Sequence, residues 1–176
     1  MRGDRALHPS PAPGDPGAGC TPEVSEIRGM SEVHLDGASE LVRDLRTDMN
    51  GKQVCTAAEM RVVLEASLTR GDYHGFVAVN PEGRVLGYLG LNRRFAIYAG
   101  GVFFQITELF VASSARREGV ASRLIEAAED QARSEGGTCL ELGAPSERSH
   151  PGTHAFYDGR GFRIVGPRLS KALTPS

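Results

Sequence analysis

Apolar residues along this chain fall into two periods, and the switches between them divide it into elements. "VSEIRGM" (Val24–Met30) reads as a first strand. In "LDGASELVRDLRTDM", Leu41, Val42, Leu45 and Met49 recur at helical spacing. "TAAEMRVVLEASLTRG" opens with Thr56 and Glu59 as a T-x-x-E capping box. It carries Met60, Val63, Leu64 and Leu68 along one face and stops at Gly71. "YHGFVAVN", the turn "PEG" and "RVLGYLGLNRRFAIY" read as a hairpin, and "GGVFFQITELFVA" as a third long strand. A helix is predicted over residues 117–135, with Val120, Leu124, Ala128 and Ala132 in one stripe. "GGTCLELGA" follows as a strand and "GTHAFYDGR" as a short helix ending near Gly161. "GFRIVG" and "RLSKAL" read as two short final strands.

The predicted order is β-α-α-β-β-β-α-β-α-β-β. A three-strand meander followed by β-α-β crossovers gives an α/β fold (an α+β mixed sheet) with helices on both faces. The chain has 176 residues, 40% of them hydrophobic, which is enough for one domain with a real core. Residues 1–22, dense in proline and glycine, are expected to be a disordered arm. Residues 23–176 are then the single domain.

Charge and cysteine content narrow the class. A net charge of −2 offers no argument for nucleic acid as a partner. No run of about 18 apolar residues exists, so no membrane span is expected. The N-terminus lacks the apolar core of a secretory signal. Cys20, Cys55 and Cys139 have no C-x-x-C spacing, which argues against a disulfide or zinc framework and for a reduced, cytoplasmic setting. Cys139, in the apolar run "TCLELGA", reads as a small buried hydrophobe.

Candidate chemistry begins at "ARREGVAS", residues 115–122, a basic small-residue turn between a strand and a helix. A helix start leaves its first N–H groups unpaired and carries the positive end of the dipole, so it suits an anion. No lysine is present for a phosphate loop of the G-x-x-x-x-G-K-[ST] type, and one late glycine does not make a dinucleotide fingerprint. On these eight residues alone, an ordinary helix start with solvated arginines is an equal reading.

The surroundings decide between them. "RREGVA" fits R-x-x-G-x-A and resembles the pyrophosphate-binding motif of the GNAT N-acetyltransferase superfamily. "ELFV" before it resembles that family's splayed central strand, and "HAFYDGRGF" its A-x-x-F-Y-x-x-x-G-F segment. "VLGYLGL", "LELGAPSER" and "RLSKAL" further resemble the bacterial aminoalkylphosphonate N-acetyltransferases within it. The resemblance spans about Val24 to Leu173. It implies acetyl-CoA as cofactor and direct transfer of the acetyl group, through a tetrahedral intermediate, to the primary amine of a small molecule.

The same resemblance implies the site. Arg116, Arg117, Glu118, Gly119, Val120, Ala121 and Ser122 would hold the cofactor's pyrophosphate. The backbone of Leu109, Phe110 and Val111 would meet its pantetheine arm, with an N–H near Leu109–Phe110 aimed at the thioester oxygen. Glu108 is the expected base, directly or through a water, and Tyr157 the expected acid to the leaving thiolate. The phosphonate enzymes carry a second acid where this chain has Gln105, so a Gln105-held water is the alternative. Arg93, Arg94 and Arg148 are candidate cations for an anionic acceptor. Asp48, Glu59 and Glu65 are candidate partners for a polyamine or aminoglycoside, and a peptide N-terminus is a third acceptor.

His150 and His154 stand at i, i+4 spacing, but Pro151 and Gly152 interrupt them. A hydrogen-bonding role for His154 is expected, and no metal. The family often pairs through its sheet edge or C-terminal strands, which makes a homodimer an expectation. A reading from another class also stands, a non-catalytic acyl-CoA-binding regulatory domain.

Overall fold

A computed structural model describes residues 26–52 and 55–171. The predicted arm lies outside the described residues. Among the described residues five strands form one mixed sheet in the order β1-β2-β3-β4-β5: β1 (Glu26–Gly29), β2 (Tyr73–Val79), β3 (Val85–Ala96), β4 (Gly101–Val111) and β5 (Leu140–Leu142). The first four pair antiparallel and β5 runs parallel to β4, as a crossover requires. The described residues also form four α-helices: α1 (Leu35–Asn50), α2 (Ala57–Ser67), α3 (Val120–Ser134) and α4 (Pro151–Gly159).

Each face of the sheet is sealed by the residues whose period matches its helices. α1 and α2 cover one face, burying Leu35, Ala38, Leu41 and Leu64 against Val77, Val79, Val85 and Tyr88. α3 covers the other through Val120, Leu124, Ala128 and Ala132, all buried against Leu89, Leu91, Phe104 and Ile106. The capping box forms: Thr56 N–H donates to Glu59 Oε2 at 2.7 Å, and Glu59 N–H to Thr56 Oγ1 at 3.2 Å.

Five expectations are corrected. The two final strands do not form among the described residues: 162–171 run without sheet pairing and leave Ile164, Val165 and Leu169 exposed, and the end of "RLSKAL" lies outside the described residues. Gly166, with φ of 153°, and the adjoining Pro167, which has no N–H to donate, break the ladder there. α3 starts at Val120 rather than Arg117, because Arg117 and Gly119 are left-handed, with φ of 67° and 77°. α2 stops at Ser67, not at Gly71. Met49 and Val63 are exposed instead of sharing the buried helix faces. Cys139 is exposed as well: Leu140 and Leu142 pack against the α3-face core, so alternation turns Cys139 and Glu141 to the opposite face.

Candidate active site

The two edges of β4 behave differently. Its β3 edge is paired along the whole strand, from Ala96↔Gly101 to Gly87↔Val111. Its other edge meets β5 only at Phe104↔Leu140, Gln105↔Glu141 and Ile106↔Leu142. Past Ile106 the two strands part, and residues 107–111 present an edge without a strand partner among the described residues. Backbone groups alternate between the two edges of a strand. Ala112 N–H donates to Leu86 O on the β3 side, so Phe110 also faces β3, and Leu109 and Val111 face the open edge. The Val111 carbonyl there accepts from Arg116 Nε at 3.0 Å.

The parting coincides with a bulge. Gly90 pairs with Glu108 and Leu91 with Ile106, so Thr107 is an extra residue in β4. The bulge sets Glu108 beside Gly90 on the α1/α2 face, at the end of a hydroxyl chain. Tyr73 Oη donates to Glu108 Oε2 at 2.9 Å, and Thr107 Oγ1 donates to the same oxygen. Tyr73 and Tyr88 hydroxyls are 2.8 Å apart. A carboxylate only accepts, so the proton of Tyr73 goes to Glu108 and Tyr88 donates to Tyr73. Burial, then the Glu108 charge, pushes Tyr73 well above the usual phenol range. Burial, then the Tyr73 neighbour, does the same to Tyr88.

At the C-terminal end of β4 a 3-10 turn (Ser113–Ala115) leads into the basic turn and α3. Gly119 is the N-cap of α3, supplies no side-chain acceptor, and no acid occupies the first helical turn. The amides of Val120, Ala121 and Ser122 are left without intrahelical partners at the positive end of the dipole. No heavy atom lies within 4 Å of the point where a Cβ at Gly119 would project, so the approach is open. Arg117 and Glu118 are exposed. Arg116 is exposed too and braces the turn: besides Val111, it contacts Asp48 of α1 at 3.4 Å and lies 5.1 Å over the Phe110 ring.

Tyr157 stands on α4 and packs into the α3-face core along with Leu109, Leu140 and Leu142. Its ring lies 5.4 Å from Phe156 and 5.7 Å from Phe162. Burial raises its phenol above the ordinary value, and no described residue hydrogen-bonds its hydroxyl. α4 is anchored to α3 by Arg160, which bonds Glu126 at 2.9 Å and the Ser122 carbonyl at 3.5 Å. His154 Nε2 lies 2.7 Å from the Pro145 carbonyl and must be the donor, tying α4 to the loop after β5. Glu108 and Tyr157 thus approach β4 from opposite faces, beside the gap that opens past Ile106.

The remaining candidates divide by face. Gln105 lies in a row with Tyr73, Asn92 and Glu141 on the Glu108 face, and Arg94 is two residues along β3 from Asn92 on that face. Arg93 is on the other face, 3.4 Å from Glu135, so it is not brought to Glu108. Arg148 is exposed in the loop between β5 and α4. Of the acids considered for a polycation, Asp48 meets Arg116, Glu59 caps α2 and Glu65 pairs with Arg61. Sequence reasoning missed Tyr73, Tyr88, Thr107 and Gly90. The one available signal was a glycine inside a strand, which marks close approach.

Comparison with known proteins supplies the family. A profile described as acetyltransferase (GNAT) family matches residues 39–162. The aminoalkylphosphonate N-acetyltransferase of Salmonella typhimurium is 31% identical over 150 residues, covering 85% of this chain and 92% of that protein. The aminoglycoside N(6')-acetyltransferase type 1 of Klebsiella aerogenes is 35% identical over 92 residues, 51% of this chain and 59% of that one. Among solved structures, the aminoglycoside N-acetyltransferase AAC(6')-Iy in complex with CoA superposes with a TM-score of 0.70 at 19% identity, over 84% of this chain and 93% of that one, a likeness of fold alone. With its profile matched over most of the sheet and its relatives N-acetyltransferases, the chain belongs to the acetyltransferase (GNAT) family and is an N-acetyltransferase.

Proposed function

We propose that this enzyme moves an acetyl group from acetyl-CoA directly to the primary amine of a small molecule, with an aminoalkylphosphonate as the first acceptor to consider. The observation that carries the reading is the meeting, on β4, of an open backbone edge, an uncapped helix start and a carboxylate. The residues fit the cofactor. The amides of Val120, Ala121 and Ser122, with the left-handed turn at Arg117–Gly119, suit a pyrophosphate. The open edge at Leu109 and Val111 suits an extended amide-bearing arm. When bound, acetyl-CoA supplies the acetyl group as a thioester.

The chain's own groups do the rest. Leu109 N–H, on the open edge, would be the donor for the acyl oxygen, where negative charge develops. A primary amine is protonated near neutral pH, with a pKa around 10. Glu108 accepts its proton, directly or through a water held with Gln105. Tyr157 holds a proton for the departing sulfur, and burial keeps that phenol protonated at neutral pH.

The relative of 92% coverage favours an aminoalkylphosphonate, with Arg94 and Arg148 the cations for its anion. Glu141, beside Gln105 on the same face, favours a second reading, an acceptor with several amines such as an aminoglycoside or polyamine. The test is a panel of 2-aminoethylphosphonate, aminomethylphosphonate, spermidine, an aminoglycoside and a short peptide, read by thiol release. Release with a phosphonate supports the first reading, and release with the polycations alone supports the second. Cofactor binding without release for any amine would replace both with a binding-only regulatory role.

A further inference from the structure

The carboxylate of Glu108 is not a free side chain on a strand. One of its oxygens, Oε2, is taken by two hydroxyls, Tyr73 at 2.9 Å and Thr107. Behind Tyr73 stands Tyr88, fully buried, with the two hydroxyls 2.8 Å apart. Three strands supply the members: β2 gives Tyr73, β3 gives Tyr88, and the bulge of β4 gives Thr107 and Glu108. Gly90 makes room for them, since a Cβ there would overlap Tyr73 Oη and Glu108 Oε2. The chain has one direction. Tyr88 donates to Tyr73, Tyr73 donates to Glu108, and Oε1 receives no hydrogen bond from any described residue.

We infer that Tyr73 is a positioning residue for the proton-accepting step, fixing Oε2 of Glu108 so that Oε1 is the atom that takes the amine proton. The inference rests on the reading of Glu108 as the base and adds to it a group that acts through Glu108. Tyr73 is not itself a proton relay, because burial and the Glu108 charge hold its own proton in place at neutral pH. Two hydroxyl donors fix one carboxylate oxygen and leave the other free of described partners. Losing one lets the carboxylate turn away from its productive position, so kcat falls while the amine KM holds.

The experiment compares Tyr73→Phe, Thr107→Val and Glu108→Gln with the parent enzyme. The readouts are kcat and KM for the best amine of the panel, and cofactor affinity by titration. Tyr73→Phe is expected to lower kcat about tenfold, with the amine KM and the cofactor affinity unchanged. Thr107→Val is expected to lower kcat in the same way. Glu108→Gln is expected to lose about 10²-fold or more. An undiminished kcat in Tyr73→Phe, with Glu108→Gln inactive, overturns the inference and leaves the base assignment standing. An active Glu108→Gln overturns the base assignment and the inference with it. If Tyr73→Phe does not fold, Thr107→Val decides alone, and an undiminished kcat there overturns the inference.

Discussion

Gly90→Ala isolates the geometry of Glu108 with a single methyl group. Gly90 has no left-handed backbone to lose, so the change acts through volume. Its Cβ would overlap Tyr73 Oη and Glu108 Oε2 and lie 3.0 Å from Thr107 Oγ1. The phenol of Tyr73 is a rigid ring whose hydroxyl is engaged by buried Tyr88, so it has little room to retreat. The Glu108 side chain is flexible and gives way, losing both hydroxyl bonds. Overpacking of this kind costs about 1–3 kcal/mol. For a domain of this size each kcal/mol is about 2–4 °C in Tm. The activity cost is larger: with the carboxylate displaced, kcat/KM is expected to fall about 10²-fold, toward the Glu108→Gln level. Gly137→Ala is the control. Its Cβ would meet Phe104 Cδ2 at 2.6 Å, a clash in the core on the α3 face, away from Glu108. It is expected to lower Tm comparably while keeping kcat/KM within about threefold. Melting curves and thiol-release rates on both variants check this. A Gly90→Ala enzyme with parental kcat/KM, or equal activity losses in the two variants, would refute the reasoning.

Further outcomes follow from the same contacts. Tyr157→Phe should lower kcat by about 10²-fold or more with cofactor affinity nearly unchanged, since only the hydroxyl is removed; single-turnover rates and a binding titration check it. Tyr73, Tyr88 and Tyr157 all have phenols raised above the ordinary value of 10.0, chiefly by burial. A raised folded value stabilises below the unfolded value and is lost as pH rises toward the folded one. Tm should therefore hold up to about pH 10 and fall above it. Tyr88→Phe should flatten that fall, measured by melts across alkaline pH. Leu124→Ala, at a fully buried position under the sheet, should cost about 2–5 kcal/mol in denaturant unfolding while leaving the amine KM unchanged.

How much was legible beforehand depended on the range of the interactions. The α3 stripe of Val120, Leu124, Ala128 and Ala132 is a local period, and all four are buried. The Thr56–Glu59 box is a three-residue pattern and it forms. The meander, the parallel crossover and the order of elements through α4 follow from such local signals. The start of α3 did not, because the left-handed turn at Arg117 is a backbone choice that its side chain does not announce. Nor did the unpaired course of residues 162–171: alternation in "GFRIVG" looks the same with or without a partner, and only a ladder makes a strand. At the site, Glu108 was visible from its place before "LFV". The Tyr73–Tyr88–Glu108 chain was hidden, because it joins residues 15 and 35 apart through a register that shifts at Thr107. The same register sends Arg93 to Glu135 and keeps Arg94 on the face of Glu108, a division that two adjacent arginines cannot disclose.

The most direct measurement is thiol release from acetyl-CoA over the amine panel, run on the parent enzyme and on Glu108→Gln, with cofactor binding titrated in both. The expected result is amine-dependent release by the parent, lost by about 10²-fold or more in the variant at equal cofactor affinity. Cofactor binding with no release for any amine, or undiminished release by Glu108→Gln, would contradict it.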